Sequence, residues 1–593
     1  MRRRLTIALM LLLCAAAADA AAAARNGGAL PSDLVAYVLK PTAPNMVLPS
    51  TDPSSIPGRI GDTILITATP GEYEAASVVL RPGTDVAGLM LEATPLTGAM
   101  GTIPASSIDI RWVKCWYQDG GAWRNIVKRG GKMLVPELLL HDDSLVRVND
   151  KQEDYLKITY PDGGVNYLWV SDPAPAKQSC NLRITPEQCP VKDSPTLLPA
   201  SIPANTNKQV WITVKVPDDA RPGAYAGSIN LSAGKQTPGA LHLRLVVLPF
   251  RLAEPKTYYD PQREFTYSIY YWGELDPQGT GIIGGKYKSE KQLLAELRDM
   301  YAHGVTSPNL IWTPELMYDR PQALRKSLAI RDEARMKGRT LYLGDSGLIG
   351  NPSDEAGLRK IQEHVQSVLA MAREFGTPEV HFYGIDEARG DVLKSQRAAW
   401  QAVHEAGGKL IVSGYAGQFE TVGDLLDLCN WSGGLSSQEP PKWHSVGHRI
   451  WNYGNPQIGA ENPDLYRRNY GLRLWRASYD GACDYCYLDA CEGFAWNDFD
   501  DATYRDHNFV YPTVDGVIGT IAWEGFREGV DDVKYATTLR QAIEKANQSP
   551  GPAARQTARA AQAYLDGMNL DGDLDAVRAG MVRYIRALSG GAR

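Results

Sequence analysis

The chemistry-bearing residues of this chain concentrate where an apolar, aromatic run ends on two adjacent acids: Val380-His381-Phe382-Tyr383-Gly384-Ile385-Asp386-Glu387. Asp and Glu are poor strand formers, and a strand needs no acid at its end to pair with its neighbours. Neighbouring carboxylates also repel, so a fold keeps them where their charge has a use or where water screens it. The use would be proton transfer: one acid held protonated by its charged neighbour donates to a leaving group, while the other supports positive charge. The plain alternative is a strand-to-helix turn with solvated acids, because Arg389-Gly390-Asp391 reads as a turn and residues 392–404 read as a helix. Successive side chains of a regular strand point to opposite faces. Asp386 and Glu387 therefore reach one site only if the strand ends there and the backbone turns.

The elements around this pair alternate between strand-like and helix-like from residue 256 onward, the pattern of βα units on a parallel sheet. Strands are expected at 265–271, 309–312, 340–345, 380–387, 409–413, 428–431, 449–453 and 483–488. Helices are expected at 291–302, 323–336, 354–375, 392–404 and 463–475, with a closing helix at 518–546. Eight such units over residues 256–547 fit a (β/α)8 TIM barrel, whose usual size is about 250 residues before insertions. Active sites of such barrels lie at the C-terminal ends of the strands. Aromatic and polar residues gather at those ends: Tyr270, Tyr271, Trp272, Trp312, Asp345, Tyr383, Trp431, Trp451, Tyr453, Tyr485, Tyr487 and Trp496. Any one of them alone reads as packing. So many on one rim read as a sugar site, and Tyr383, Trp272, Trp312, Asp345, Trp451, Tyr453, Tyr485, Tyr487 and Trp496 are the candidate substrate-binding residues, with a glycan as the partner.

Glycoside hydrolysis usually uses two carboxylates flanking the bond. An acid on strand four with a nucleophile on strand seven is weakened by residues 449–453, which contain no acid, while Glu461 lies well beyond them. The second design is substrate-assisted: the 2-acetamido group of the sugar attacks its own anomeric carbon, one carboxylate supports the oxazolinium, and its neighbour protonates the leaving oxygen and then activates water. That design needs two acids close together, as at Asp386 and Glu387.

Residues 30–255 carry short period-two runs separated by Pro, Gly, Asp and Asn, which predict one or two antiparallel β-sandwich units. The stretch 115–200, including Val135-Pro136-Glu137-Leu138-Leu139-Leu140, reads as irregular loop, and nothing in this front half reads as catalytic. Residues 548–593 are Ala-rich and helical, a short C-terminal cap on the barrel. Residues 1–24 form a signal peptide: Arg2-Arg3-Arg4, an apolar run from Leu5, and Ala18-Asp19-Ala20. The mature chain is expected to be exported, periplasmic or extracellular, without stable membrane insertion. Cys14 raises lipidation as an alternative, but Leu11-Leu12-Leu13 stands where small residues belong. A formal net charge of -6 with both signs mixed argues against nucleic acid. Cys180 and Cys189 can pair in an oxidising compartment, whereas Cys483, Cys486 and Cys491 lack a fourth zinc ligand at a usable spacing. No metal and no cofactor are expected, and the oligomeric state is open.

Four places in the chain resemble glycoside hydrolase family 123, retaining β-N-acetylgalactosaminidases. They are Tyr383-Gly384-Ile385-Asp386-Glu387; Trp523-Glu524-Gly525-Phe526-Arg527-Glu528-Gly529-Val530-Asp531-Asp532; Tyr466-Arg467-Arg468 with Trp475; and the run from Trp211 to Gly227. The resemblance implies a barrel enzyme in which Asp386 stabilises the acetamido group and Glu387 is the acid/base, acting from the chain end on terminal β-linked N-acetylgalactosamine. The family usually has Pro after the Glu, and this chain has Ala388. Two alternatives remain: a related enzyme for a non-acetylated sugar, using Asp489, Glu492, Asp498 or Asp500, and a non-catalytic carbohydrate-binding barrel.

Overall fold

The structure, a computed structural model, describes residues 30–43, 47–119, 131–172, 184–234, 236–276, 281–311, 321–336, 338–344, 352–459, 461–489, 494–500 and 505–589. The 1–24 leader with Cys14, and Trp312, Asp345, Cys180, Cys491 and Glu492, lie outside them.

In the front half, one sheet has six antiparallel strands in the order Arg59–Ile60, Leu34–Leu39, Tyr73–Pro82, Lys208–Lys215, Ile108–Asp119, Lys132–Leu140. A second sheet is built on Val86–Ala93, Gly223–Ala233, Gln236–Val247 and Thr63–Ala68, the last pair parallel. Alternation sets which side chains meet: along Thr63–Ala68, Ile64 and Ile66 are buried while Leu65 is 68% exposed. Val78, Ile110, Trp112 and Ile212 of the first sheet and Ile64, Leu91, Leu241 and Leu243 of the second share one apolar cluster.

The stretch expected to be loop at 135–140 is instead the edge strand Lys132–Leu140. Its last six residues are all buried, because the barrel covers the outer face, and Leu138 bridges to Thr520. A strand buried on both faces reads as a continuous apolar run, so period two is absent there. A separate three-stranded antiparallel sheet spans Val146–Val148, Asp154–Thr159 and Val165–Trp169.

Eight parallel strands close the barrel: Thr266–Trp272, Asn309–Ile311, Thr340–Gly344, Glu379–Tyr383, Lys409–Gly414, Leu428–Ser432, Arg449–Tyr453 and Gly481–Asp484. They follow the expected strands to within a residue or two except the fourth, which ends four residues earlier, before the two acids, and the eighth, which starts two residues earlier and ends four earlier. The interior is packed. Trp451 of strand seven meets Tyr342 of strand three at 4.6 Å between ring centroids, and strands on opposite sides of a barrel touch only through its inside. Among the described residues no helix is long and apolar enough to cross a membrane.

The closing helix, Ile521–Asn547, is buried on nearly every side along its first half, because barrel, N-terminal sheets and the helices Pro552–Asp566 and Leu574–Ser589 surround it. Two of the sequence motifs meet here. Arg467 Nε donates to Asp532 Oδ2 at 2.7 Å, and Arg578 Nε donates to Asp532 Oδ1 at 2.7 Å. Arg578 Nη1 also reaches Glu74 of the first sheet at 3.0 Å. Gly525 allows the close approach: a Cβ there would lie 2.2 Å from the Pro463 carbonyl oxygen. The Arg-Glu-Gly-x-Asp-Asp motif is thus a structural clamp. Asp532→Ala removes the carboxylate that two buried guanidiniums share, leaving Arg467 with Asp575 and Arg578 with Glu74 and Glu528, and is expected to lower stability by about 3 kcal/mol, read as a shift in the urea unfolding midpoint at constant slope.

Candidate active site

Strand four stops at Tyr383, and the backbone turns at once. Gly384 N donates to Ile411 O at 3.2 Å, Ile385 N to the Gln396 side-chain oxygen at 2.7 Å, and Glu387 N to Ser413 O at 3.3 Å. Gln396 stands between two short helices, Gly390–Ser395 and Arg397–Glu405, so the single helix expected over 392–404 is broken at the residue that holds the turn. Gly384 is required, since a Cβ there would sit 2.7 Å from the Trp400 ring. Glu387 adopts φ 49°, the left-handed region that non-glycine residues rarely enter and that often marks functional strain. This turn lifts the opposed-face restriction of a strand.

Both carboxylates then bear on one tyrosine cluster. Asp386 Oδ1 accepts from Tyr383 OH at 2.8 Å. Tyr383 OH lies 2.5 Å from Tyr270 OH and 2.8 Å from Ser413 Oγ. The Tyr270 ring stands 6.0 Å from that of Tyr453 and 5.5 Å from that of Tyr485. Tyr453 and Tyr415 each donate a hydroxyl to Glu387, one to each oxygen. Burial, reinforced at Tyr453 by Tyr270 and Glu387, holds the Tyr453 phenol far above its ordinary range; burial and then Glu387 raise that of Tyr415. Burial does the same at Tyr270 and Tyr383. The phenols therefore stay protonated and act as donors. Asp386 itself is exposed and Glu387 half-buried, so both acids face the mouth above a dry floor. Such an arrangement orients one carboxylate between two fixed donors and holds the other, exposed, at the mouth.

The remaining candidates divide. Tyr383 and Tyr453 belong to the cluster; Tyr485 packs on Tyr270 and donates to Asp489. Trp272 is half-buried at the end of strand one, with the Lys286 ammonium 4.8 Å over its ring. Three are corrections. Trp451 is fully buried inside the barrel. Tyr487 is fully buried against Tyr271 and Trp523 and donates to Asp299 at 2.9 Å. Trp496 is fully buried against Trp116 and Tyr511. Strand-end aromatics fill the barrel and its seams as readily as they line a mouth, and only the neighbours decide. Tyr415, Ser413, Tyr270 and Asn430, whose amide donates to Tyr270 OH at 3.2 Å, complete the cluster without having been candidates. Tyr415 lies just past strand five, where no periodicity points to it.

Tyr453→Phe removes one donor to a carboxylate, an interaction worth about 1.5–3 kcal/mol. If Glu387 works in a reaction, kcat/KM is expected to fall about 10–100-fold with the unfolding midpoint nearly unmoved, measured by steady-state kinetics beside thermal melts.

Among the described residues, the acids weighed after strand eight, Asp489, Asp498 and Asp500, supply no second exposed carboxylate. Asp489 is 3% exposed, and Asp500 accepts from Phe494 N at 3.1 Å. Asp498 is buried below the front sheets, accepting from Tyr511 OH at 2.6 Å in a group that includes Gln118, Glu137, Glu461 and Arg505. Burial pushes Asp498 up to about 6 and, with the charge of Glu461, Glu137 up to about 8. A carboxyl whose folded pKa is raised keeps a proton that the unfolded chain has released, so stability falls as pH rises through the window from about 4.5 to about 8. Urea midpoints of the parent should therefore decline between pH 5 and 8.5, at up to about 1.4 kcal/mol per pH unit for one proton. Glu137→Gln should decline less; an equal decline in both would contradict this assignment.

Among the described residues no group of His, Cys, Asp and Glu is arranged to hold a metal ion, and Cys483 and Cys486 are buried thiols that burial pushes upward in pKa.

No protein-family model and no curated protein matches this chain. Among solved structures, a family 123 glycoside hydrolase from Clostridium perfringens, described for glycolipid glycan hydrolysis, aligns over 94% of this chain and 98% of its own, with TM-score 0.58 and 12% identity. A GH5 xyloglucanase from Bacteroides ovatus aligns over 79% of this chain and 98% of its own at 8% identity, but its TM-score of 0.26 carries no argument. The resemblance carried by the sequence motifs is thus met at the level of architecture: this chain has the fold of that family 123 glycoside hydrolase.

Proposed function

We propose that this chain is a glycoside hydrolase whose reaction centre is the Asp386–Glu387 turn, with Glu387 as general acid/base and Asp386 supporting the substrate's own 2-acetamido group as it cyclises. The observation that carries the reading is the left-handed turn at Glu387, which brings two consecutive carboxylates onto one tyrosine cluster instead of opposite faces. Strand seven delivers a phenol, Tyr453, where an opposed-carboxylate enzyme would have an acid, which favours the substrate as nucleophile. The substrate is a glycan ending in β-linked N-acetylgalactosamine, taken from its terminus with retention. The sugar identity rests on the sequence resemblance.

The same proposal takes residues 1–24 as a signal peptide and the protein as exported, residues 30–255 as a β-sandwich region, 256–547 as the catalytic barrel and 548–593 as its helical cap. The shared apolar cluster of the two front sheets supports the sandwich assignment, and the packing of the last two helices on Ile521–Asn547 supports the cap. An N-acetyl thiazoline that mimics the cyclised sugar tests the mechanism. It should inhibit the parent competitively and bind Asp386→Asn at least tenfold more weakly; equal affinity for both proteins would remove Asp386 from the role.

A further inference from the structure

A cavity of about 900 Å3 lies at the other end of the barrel, away from Asp386 and Glu387. Thr266, Thr340 and Arg449, which begin strands one, three and seven, line it, as do Tyr73 and Lys215 of the front sheet and Arg527 of the closing helix. Its volume is within the range of small-molecule sites, yet nothing in the proposed reaction uses it.

The charges on its walls are unevenly matched. Glu333 pairs with Arg298 at 3.3 Å, Asp531 with Lys534 at 3.1 Å, and Asp218 with Arg251 at 3.7 Å. Burial pushes Glu72 up to about 7, and Tyr535 OH donates to it at 2.9 Å. Four lining cations, Lys215, Arg335, Arg339 and Arg449, make no ion pair among the described residues; the lining carboxylates without one are Glu254, Glu264 and Glu72, the last hydrogen-bonded to Thr69 and Tyr535. Arg449 is placed near the barrel axis, two residues before interior Trp451 on the same strand face, and its charge acts on the Tyr342 phenol. Arg527, 4% exposed, has its Nε turned from every protein acceptor although its Nη2 reaches Glu524. An excess of unmatched cations thus collects in one cleft on a chain whose formal net charge is -6.

We propose that this cleft at the N-terminal mouth of the barrel is a second ligand site, and that it takes an oligoanion whose adjacent phosphate, sulfate or carboxylate groups bridge Arg339 and Arg449. Guanidinium forks match such groups in a bidentate way, and the spread of cations favours a ligand with several charges over a single small ion. The cleft lies outside the proposed reaction centre, so the proposal stands whether or not that function is right.

Titration calorimetry on the full chain in low-salt buffer tests it with three probes: tripolyphosphate, a sulfated disaccharide and the corresponding neutral disaccharide. Either anionic probe should bind, the stronger one identifying the preferred group, and affinity should drop as salt is raised. The neutral disaccharide should give no heat that Arg339→Ala/Arg449→Ala removes. That double variant should bind the anion at least tenfold more weakly, Arg339→Lys/Arg449→Lys should fall between it and the parent, keeping the charge but losing the bidentate fork, and Glu387→Gln should bind as the parent does. If the double alanine variant fails to fold by circular dichroism, Arg335→Ala, at an exposed helix end, should still weaken binding severalfold. Absence of binding by both anionic probes at 1 mM, or binding that these arginine variants leave unchanged, overturns the proposal.

Discussion

Glu387→Gln is expected to lower kcat on a substrate with a poor leaving group by about 10²–10⁴-fold, the usual contribution of general acid–base catalysis. The amide fills the same space: its oxygen still accepts from one of the two phenols, Tyr415 or Tyr453, and its NH2 can donate to the oxygen of the other once that hydroxyl rotates. The amide neither donates a carboxyl proton nor takes one from water. An aryl glycoside with a good leaving group needs little protonation, so the first bond cleavage should suffer far less and the loss should shift to the hydrolysis step. Pre-steady-state kinetics would show this as a burst of aglycone before slow turnover. The unfolding midpoint should barely change, because a half-buried side chain at the mouth contributes little to the core. A loss of the same size for good and poor leaving groups would deny Glu387 the acid role.

Asp386→Asn is expected to act differently. It removes the charge facing the developing oxazolinium while keeping an acceptor for Tyr383 OH. Preorganised electrostatic stabilisation of this kind is worth about 3–4 kcal/mol, or 10²–10³-fold in rate. Leaving-group quality does not restore it, since the missing interaction is with the nucleophilic acetamido group. Brønsted plots for the two variants should therefore differ: steep for Glu387→Gln and unchanged in slope for Asp386→Asn.

Much of this arrangement is legible in the sequence. The barrel strands follow from apolar runs bounded by turn residues, strand seven to the residue at 449–453, while strand four stops at Tyr383 rather than running on to its acids. The eighth was displaced because the apolar run continues through Tyr487 into a different pairing, Leu488–Asp489 against His507–Asn508, while Gly481 is needed inside: a Cβ there would meet the Trp451 ring at 2.7 Å. The edge strand at 132–140 escaped because both of its faces are covered, which erases alternation. The pair Asp386–Glu387 was visible as two acids ending a strand, and the need for a turn followed from strand geometry alone. The partners of Glu387 were half visible: Tyr453 ends a strand, but Tyr415 reaches the site from a loop. Trp451, Tyr487 and Trp496 show the reverse, residue types suited to a sugar that the fold spends on packing, a distinction set by neighbours hundreds of residues away.

The central claim is that the substrate's own acetamido group does the chemistry that a second enzyme carboxylate does elsewhere. The most direct measurement compares kcat/KM for two aryl β-glycosides that differ only at C2, the N-acetylgalactosaminide and the galactoside. The account predicts efficient cleavage of the first and a loss of at least 10³-fold for the second, beyond what one lost contact of about 1–3 kcal/mol would cause. Comparable rates for the two would contradict it and send the search for a nucleophile to the acids beyond strand eight.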